Sequence, residues 1–169
     1  SGELGYELYV KNSFVTNLWN LLFSTNIQLI PIGLAARDTL RLEKGYCLYG
    51  NEINDFTSPI EADLTWITKF NKNFIGKDII NRVHKSGRTK KLVGIELIDK
   101  GIARKDYKIY SPAKQIEIGY VTSGTMSPSL NKPIAIGFVD IKYSDINTIV
   151  EISVRNKKIK SKVVNLPFI

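Results

Sequence analysis

Hydrophobic and polar positions alternate where the chain opens. Leu4, Tyr6, Leu8 and Val10 fall on one side of an extended backbone and Gly5, Glu7 and Tyr9 on the other, which predicts an opening strand. The period then lengthens. Asn12 or Ser13 is placed to cap a helix running to about Ser24, with Phe14, Leu18, Leu21 and Leu22 as its buried stripe. Leu29 and Ile30 read as strand or extended segment. Pro31 and Gly33 lead into a second helix, which Gly45 is placed to end in a left-handed conformation. Strand, helix, strand, helix is the grammar of an α+β half-domain with helices on one face of a sheet.

The second helix carries Arg37 and Arg41, four apart and so on nearly the same side. At least one of them is expected to have a fixed carboxylate-like partner, inside the protein or on a ligand. From Tyr46 to Phe70 the chain is rich in turns, and Ile60, Leu64, Trp66 and Ile67 imply repeated returns to a core. A third helix is expected from about Lys77 to Lys85, packed through Ile79, Ile80 and Val83. The polar, basic run from Lys85 to Lys91 then reads as a linker.

Beyond it the pattern turns to strands: Leu92–Leu97, Tyr107–Tyr110, Ile116–Thr122, Ile134–Val139, Ile149–Val154 and Ile159–Val164. Asn156-Lys157 suits a tight hairpin turn, and Ser123-Gly124-Thr125 reads as another turn, structural in preference to ligand-facing. Short strands punctuated by Gly, Pro, Asn and Asp point to a small closed or sandwich-like β domain. The expected division is therefore 1–84, a linker at 85–91, and a β domain at 92–169.

Composition narrows the function classes. With 169 residues and 43% hydrophobic content, the chain can build one medium core or two small ones. The first residues lack a basic head followed by an apolar block, and an opening directly in a strand suggests a piece of something longer. The net charge of +8 is uneven: residues 1–84 carry eight Lys or Arg against nine Asp or Glu, whereas residues 85–169 carry sixteen against seven. Such a basic half either steers an acidic partner or serves as solubilising surface. Scattered through strands and turns, it offers no nucleic-acid recognition element, and no long apolar span suggests a membrane.

Lone Cys47 and lone His84 remove the usual metal-ligand sets and any Cys-His or Ser-His-Asp grouping. A single cysteine also favours a reducing compartment. His84 reads as an exposed helix-end residue. Glu3, flanked by Gly2 and Gly5, is either a surface strand residue or a carboxylate open to paired donors on a flat heterocycle edge; Glu7, on the same strand face, is the weaker candidate. Arg37 either bridges Glu3 or Asp38 or holds a ligand carboxylate. Trp66, Tyr46 and Tyr49 either wall an aromatic pocket or pack in the core.

At these residues the chain resembles the aminomethyltransferase family, the T-proteins of the glycine cleavage system. The matching runs are Ser1-Gly2-Glu3-Leu4-Gly5-Tyr6-Glu7, Gly33-Leu34-Ala35-Ala36-Arg37-Asp38-Thr39-Leu40-Arg41-Leu42-Glu43, Cys47-Leu48-Tyr49-Gly50 and Ser58-Pro59-Ile60-Glu61-Ala62. Phe74-Ile75-Gly76-Lys77, Gly101-Ile102-Ala103-Arg104, Val121-Thr122-Ser123-Gly124-Thr125-Met126-Ser127-Pro128 and Leu166-Pro167-Phe168 keep the same order. The resemblance covers essentially the whole chain but only the later part of the family. It implies an α+β protein, a partial folate-binding α/β region followed by a small antiparallel β-barrel.

The implied activity is transfer of an aminomethyl group from the dihydrolipoyl arm of the H-protein to tetrahydrofolate, with release of ammonia and without a metal. By resemblance, Glu3 grips the pterin edge and Arg37 belongs to the folate pocket; Glu7, Tyr46 and Trp66, read from the residues themselves, are further candidate folate contacts. No catalytic residue is assigned, because the family aspartate that positions the folate nitrogen has no counterpart in these 169 residues. The full-length parent is thus an enzyme and the isolated chain an incomplete, inactive part. Its expected partner is the lipoyl-bearing H-protein, not nucleic acid or a membrane, and its expected location is the cytoplasm, or the mitochondrial matrix in a eukaryotic source. A folate-binding module like those of sarcosine or dimethylglycine dehydrogenases resembles the opening motif almost as well. A non-catalytic folate-binding or interaction scaffold is the alternative from a different class.

Overall fold

The computed structural model describes residues 2–155 and 157–169, and it ends in a closed antiparallel barrel. Helix α1 spans Val15–Phe23 after a short 3-10 turn at Asn12–Phe14, α2 spans Leu34–Glu43 and α3 spans Lys77–Ser86. The barrel strands are β1 (Lys90–Leu97), β2 (Lys108–Tyr110), β3 (Glu117–Ser127), β4 (Lys132–Asp140), β5 (Ile149–Val154) and β6 (Lys157–Val164). They close in the order β1-β4-β3-β2-β5-β6. Closure leaves no free sheet edge and resolves the choice between barrel and sandwich.

Helix α2 ends for a local reason. Gly45 has φ +70, its N–H donates to the Leu42 carbonyl at 2.9 Å, and the Tyr46 N–H donates to the Arg41 carbonyl at 2.8 Å. These are the two bonds of a Schellman cap, and glycine takes the left-handed position without a Cβ penalty.

The barrel interior is filled by Val93, Ile95 and Leu97 of β1, Ala135 and Val139 of β4, Ile109, Val121, Val150, Ile152, Ile159 and Val163. A second core lies outside the barrel wall, where Leu42 of α2 packs on Leu92, Ile134, Ile136 and Phe138, with Leu166 and Phe168 of the C-terminal tail against it. The tail is tied down by the Phe168 N–H, which donates to the Glu43 carbonyl at 2.9 Å. Strands β1 and β4 therefore bury both faces and read as nearly continuous apolar runs, whereas β6 alternates Lys158 and Lys160 with buried Ile159 and Ser161.

Strand β3 departs from the expected turn at Ser123-Gly124-Thr125, because it continues through these residues to Ser127. Its pairing with β4 shifts register between Val121 and Ser123. Tyr120 pairs with Phe138 and Val121 with Gly137, but Ser123, not Thr122, pairs with Ile136. One extra residue reverses the alternation, so Ser123 joins the outward side with Ile136 and Phe138 instead of the interior with Val121. Buried Thr122 is satisfied by donating its hydroxyl to the Ile136 carbonyl at 3.0 Å. The chain reverses instead after Ser127, with Asn131 at φ 51. The expected Asn156-Lys157 turn involves Asn156, which lies outside the described residues.

The opening segments differ most from expectation. After a bend at Glu3 and Leu4, residues 5–10 take no regular secondary structure and join no ladder among the described residues. Helix α1 forms where anticipated, without a side-chain cap, yet none of its residues is buried, and the expected stripe of Phe14, Leu18, Leu21 and Leu22 packs into no core. Leu29 and Ile30 join no sheet and are exposed. In the irregular stretch Ile60 is buried and Leu64 packs at the second core, but Trp66 and Ile67 stay exposed; on α3, Ile79 is exposed too. The basic run is shared between elements, with Lys85 and Ser86 closing α3 and Lys90 and Lys91 opening β1. His84 is exposed, as anticipated, and stacks on Phe70 at 4.9 Å between ring centroids. No helix among the described residues is long and apolar enough to cross a membrane.

Candidate functional site

Both arginines of α2 have carboxylate partners, but in opposite environments. Arg41 is buried, with its side chain 7% exposed. Its Nε donates to Asp38 Oδ1 at 2.7 Å, Nη1 to Glu52 Oε2 at 2.8 Å and to the Tyr46 carbonyl at 3.0 Å, and Nη2 to Ser123 Oγ at 2.7 Å. Glu52 is equally occupied, since it accepts from the Leu48 N–H at 2.9 Å and from Ser123 Oγ at 2.6 Å. Every buried side-chain polar atom among the described residues has a partner. Arg41 is thus spent on structure: it joins α2, the Tyr46–Glu52 loop and β3.

One turn earlier, Arg37 is 63% exposed at its side chain and donates through Nη2 to Glu7 Oε1 at 3.1 Å. Glu7 also accepts from the Tyr9 hydroxyl at 2.7 Å, and that hydrogen bond, with the carboxylate's charge, raises the Tyr9 phenol above its usual range. The bridging acid is therefore neither Glu3 nor Asp38. Glu3 is exposed and has no side-chain hydrogen bond or ion pair among the described residues, and Asp38 belongs to Arg41. Gly2 lies against the Lys44 side chain, so the opening segment runs along α2 from its C-terminal end back to Arg37.

A pocket of about 440 Å³ lies beside this pair. It is lined by Leu34, Arg37, Asp38, Arg41, Tyr46, Cys47, Leu48 and Asn51. Trp66 sits in a neighbouring pocket of about 610 Å³ with Leu64, Leu92 and Leu166; Tyr46 and Cys47 border both. The structure brings Arg37 and Tyr46 to one cavity and Glu7 onto Arg37, but leaves Trp66 next door, 73% exposed, and Glu3 out of both linings. Tyr49 points away, its hydroxyl donating to Asp55 at 2.8 Å. A flat ligand would meet a planar guanidinium and a half-exposed aromatic face there. Burial first, and then the Glu52 charge, push the Cys47 thiol up to about 11, which disfavours its thiolate near neutral pH.

Two polar features have no counterpart in the sequence reading. Glu43, the last residue of α2, accepts from the Ser127 hydroxyl, from Ser129 Oγ at 2.9 Å and from the Ser129 N–H at 3.2 Å. Burial pushes this carboxyl up, but the three hydrogen bonds and the Lys44 charge outweigh it and leave it below its ordinary value. Elsewhere on the barrel, Lys100, Arg104, Arg155 and Lys157 line a cleft of about 550 Å³ with Tyr107. The Ser127-Pro128-Ser129 run at the end of β3 is the local signal that could have found the first; the cationic cleft joins segments some fifty residues apart, which no local pattern signals.

Comparison with known proteins gives this geometry a family. Residues 1–72 match the model of the GCVT N-terminal domain, and residues 90–169 match that of the glycine cleavage T-protein C-terminal barrel domain. The aminomethyltransferase of Flavobacterium psychrophilum is 45% identical over 170 residues, covering 99% of this chain and 47% of the relative. That of Halothermothrix orenii is 47% identical over 172 residues, covering all of this chain and 48% of the relative. Among solved structures, the glycine cleavage system aminomethyltransferase T of Bartonella henselae superposes with a TM-score of 0.85 at 34% identity, over 93% of this chain and 44% of that one. The chain spans about half the length of the curated relatives it matches. With both family domains matched in order over nearly its whole length, and with the barrel fold they require, the chain belongs to the glycine cleavage T-protein, or aminomethyltransferase, family.

Proposed function

We propose that this chain forms part of a tetrahydrofolate-dependent aminomethyltransferase that takes the aminomethyl group from the lipoyl arm of an H-protein in glycine cleavage. The observation that carries this reading is identity of about 45% to aminomethyltransferases along the entire chain. The pocket of Arg37 and Tyr46 agrees with it: it offers a planar cation and an aromatic face, suited to orienting a flat acceptor. Orientation is the main demand of the chemistry, because a folate nitrogen must be held close to a sulfur-bound carbon.

In this reading Arg37 and Tyr46 form one wall of the acceptor site, Glu7 holds the guanidinium in place, and Glu3 and Trp66 contribute from its margins. Arg41 and Glu52 keep that wall fixed to the barrel. The basic surface of residues 85–169 favours docking of an acidic lipoyl-bearing protein. In this reading the reaction takes place in the cytoplasm, or in the mitochondrial matrix of a eukaryotic source; that the relatives named above are bacterial supports the first.

The test uses the chain joined to the preceding half of the Flavobacterium relative. Tetrahydrofolate-dependent release of ammonia from an aminomethylated lipoyl carrier is expected from the joined protein and not from the 169-residue chain alone. Equal activity on free dimethylglycine, without the carrier, would overturn the substrate assignment.

A further inference from the structure

Asn51 lines the Arg37 pocket, and its amide is held at both ends. Nδ2 donates to Ser123 Oγ at 3.1 Å, and Oδ1 accepts from Lys105 Nζ at 3.1 Å. Ser123 settles which way round the amide lies. Its single hydroxyl hydrogen goes to Glu52 Oε1 at 2.6 Å, so its oxygen meets Arg41 Nη2 and Asn51 only as an acceptor. Asn51 must therefore present its NH2 there, and the Lys105 ammonium at the opposite end, which has donors alone, demands the amide oxygen. An amide NH2 carries two hydrogens, and Ser123 takes one. The other has no partner among the described residues, on a half-buried side chain in the pocket wall.

Lys105 is well anchored for its part. Ala103 is buried in the barrel core, with its carbonyl so close to Gly124 that a Cβ there would collide with it. Arg104 Nη1 donates to the Gly124 carbonyl at 3.1 Å, and the Asp106 N–H donates to the Val121 carbonyl at 2.8 Å, so the residues on both sides of Lys105 are fastened to β3. From that base its ammonium also donates to the Gly50 carbonyl at 2.6 Å, fixing the loop backbone together with the amide.

We propose that Asn51 is an acceptor-binding residue, giving its remaining amide N–H to a carbonyl or carboxylate oxygen of the flat acceptor, and that Lys105 is the positioning residue that keeps the amide aimed. The inference rests on the reading of this pocket as the tetrahydrofolate site, and it adds a contact distinct from those of Arg37 and Tyr46. A neutral donor held at a fixed angle selects by geometry where the Arg37 charge selects by sign. A ligand with an N–H in place of that oxygen would leave two donors facing each other unpaired.

Calorimetry and steady-state kinetics on the joined two-half protein test it. Asn51→Ala is expected to weaken tetrahydrofolate binding about threefold to tenfold and to raise its KM by more than it lowers kcat, with the KM for the lipoyl carrier unmoved. Lys105→Met, at an exposed side chain, should weaken tetrahydrofolate binding about threefold at the parent's urea midpoint. Lys105→Arg, which can donate to both Gly50 and Asn51, should restore it. Tetrahydropterin without the aminobenzoyl-glutamate tail then locates the oxygen: a loss in Asn51→Ala that persists with it puts the contact on the ring, and a loss that vanishes puts it on the tail. Should Asn51→Ala fail to fold, the two Lys105 variants decide. Tetrahydrofolate affinity equal to the parent's in Asn51→Ala or Lys105→Met, a loss that Lys105→Arg does not restore, or an equal loss for both substrates with a lowered urea midpoint would each overturn the proposal alone. A parent protein that binds no tetrahydrofolate would overturn the transferase reading, and this contact with it.

Discussion

Arg41 and Glu52 meet at 2.8 Å between the end of a helix and the wall of the barrel, the carboxylate fully buried and the guanidinium nearly so. An ion pair so placed owes its tolerance to complete hydrogen bonding, and Ser123, Asp38 and two backbone groups of the Tyr46–Leu48 segment complete it.

Removing one partner leaves the other charged and unpaired in the interior. Arg41→Met is expected to lower unfolding free energy by about 3–5 kcal/mol. Arg41→Met with Glu52→Gln should recover more than half of that, because the orphaned charge is gone. Urea unfolding followed by circular dichroism measures both; equal losses in the single and double variants would mean that packing, not charge, holds the joint.

Glu43 makes the chain's stability depend on acid. Its carboxyl lies below the ordinary value of 4.5, so the folded state binds the proton less readily than the unfolded state. The stabilisation is present above 4.5 and is lost as the pH falls through the lowered folded value. Glu43→Gln should therefore flatten the stability profile on the acid side. A Gln variant with the same acid slope as the parent would assign that slope to other carboxylates.

Cys47 should resist alkylation at neutral pH, because burial and the nearby Glu52 hold its thiol at about 11. The rate of iodoacetamide labelling should be far below that of free cysteine at pH 8 and climb towards pH 11. Rapid labelling at pH 7 would show a thiolate that this environment does not permit.

In the joined two-half protein, Arg37→Lys is expected to weaken tetrahydrofolate binding about tenfold or more, since one ammonium cannot reproduce the guanidinium fork. Glu3→Gln should also weaken it with little effect on folding, given that Glu3 is solvent-exposed and makes no described side-chain bond. Calorimetric affinities equal to the parent's would remove either residue from the acceptor site.

Gly119 is expected to tolerate no side chain. A Cβ there would lie 1.9 Å from the Phe138 carbonyl oxygen across the β3–β4 ladder, and backbone cannot yield as a flexible side chain can. Gly119→Ala should cost about 1–3 kcal/mol, on the scale of overpacking in a close-packed core. A melting temperature unchanged from the parent would show that the two strands can separate there at no cost.

What the amino-acid order determined by itself is what neighbouring residues decide. The span of α2, its termination at Gly45, the change from helices to short strands near residue 90 and the approximate place of every barrel strand follow from local periodicity and from glycine's access to positive φ. The pairing of an α2 arginine with an opening-segment acid was legible as a possibility, although Glu7 rather than Glu3 makes it. Tertiary structure alone decided which arginine is buried. The choice depends on a single inserted residue near Thr122, which turns Ser123 outward to meet Arg41; a strict period of two would point that hydroxyl into the barrel. Burial of the amphipathic opening helix was likewise beyond sequence: its pattern announces an apolar face, but only the packed fold shows that the surface to cover it is not among the described residues.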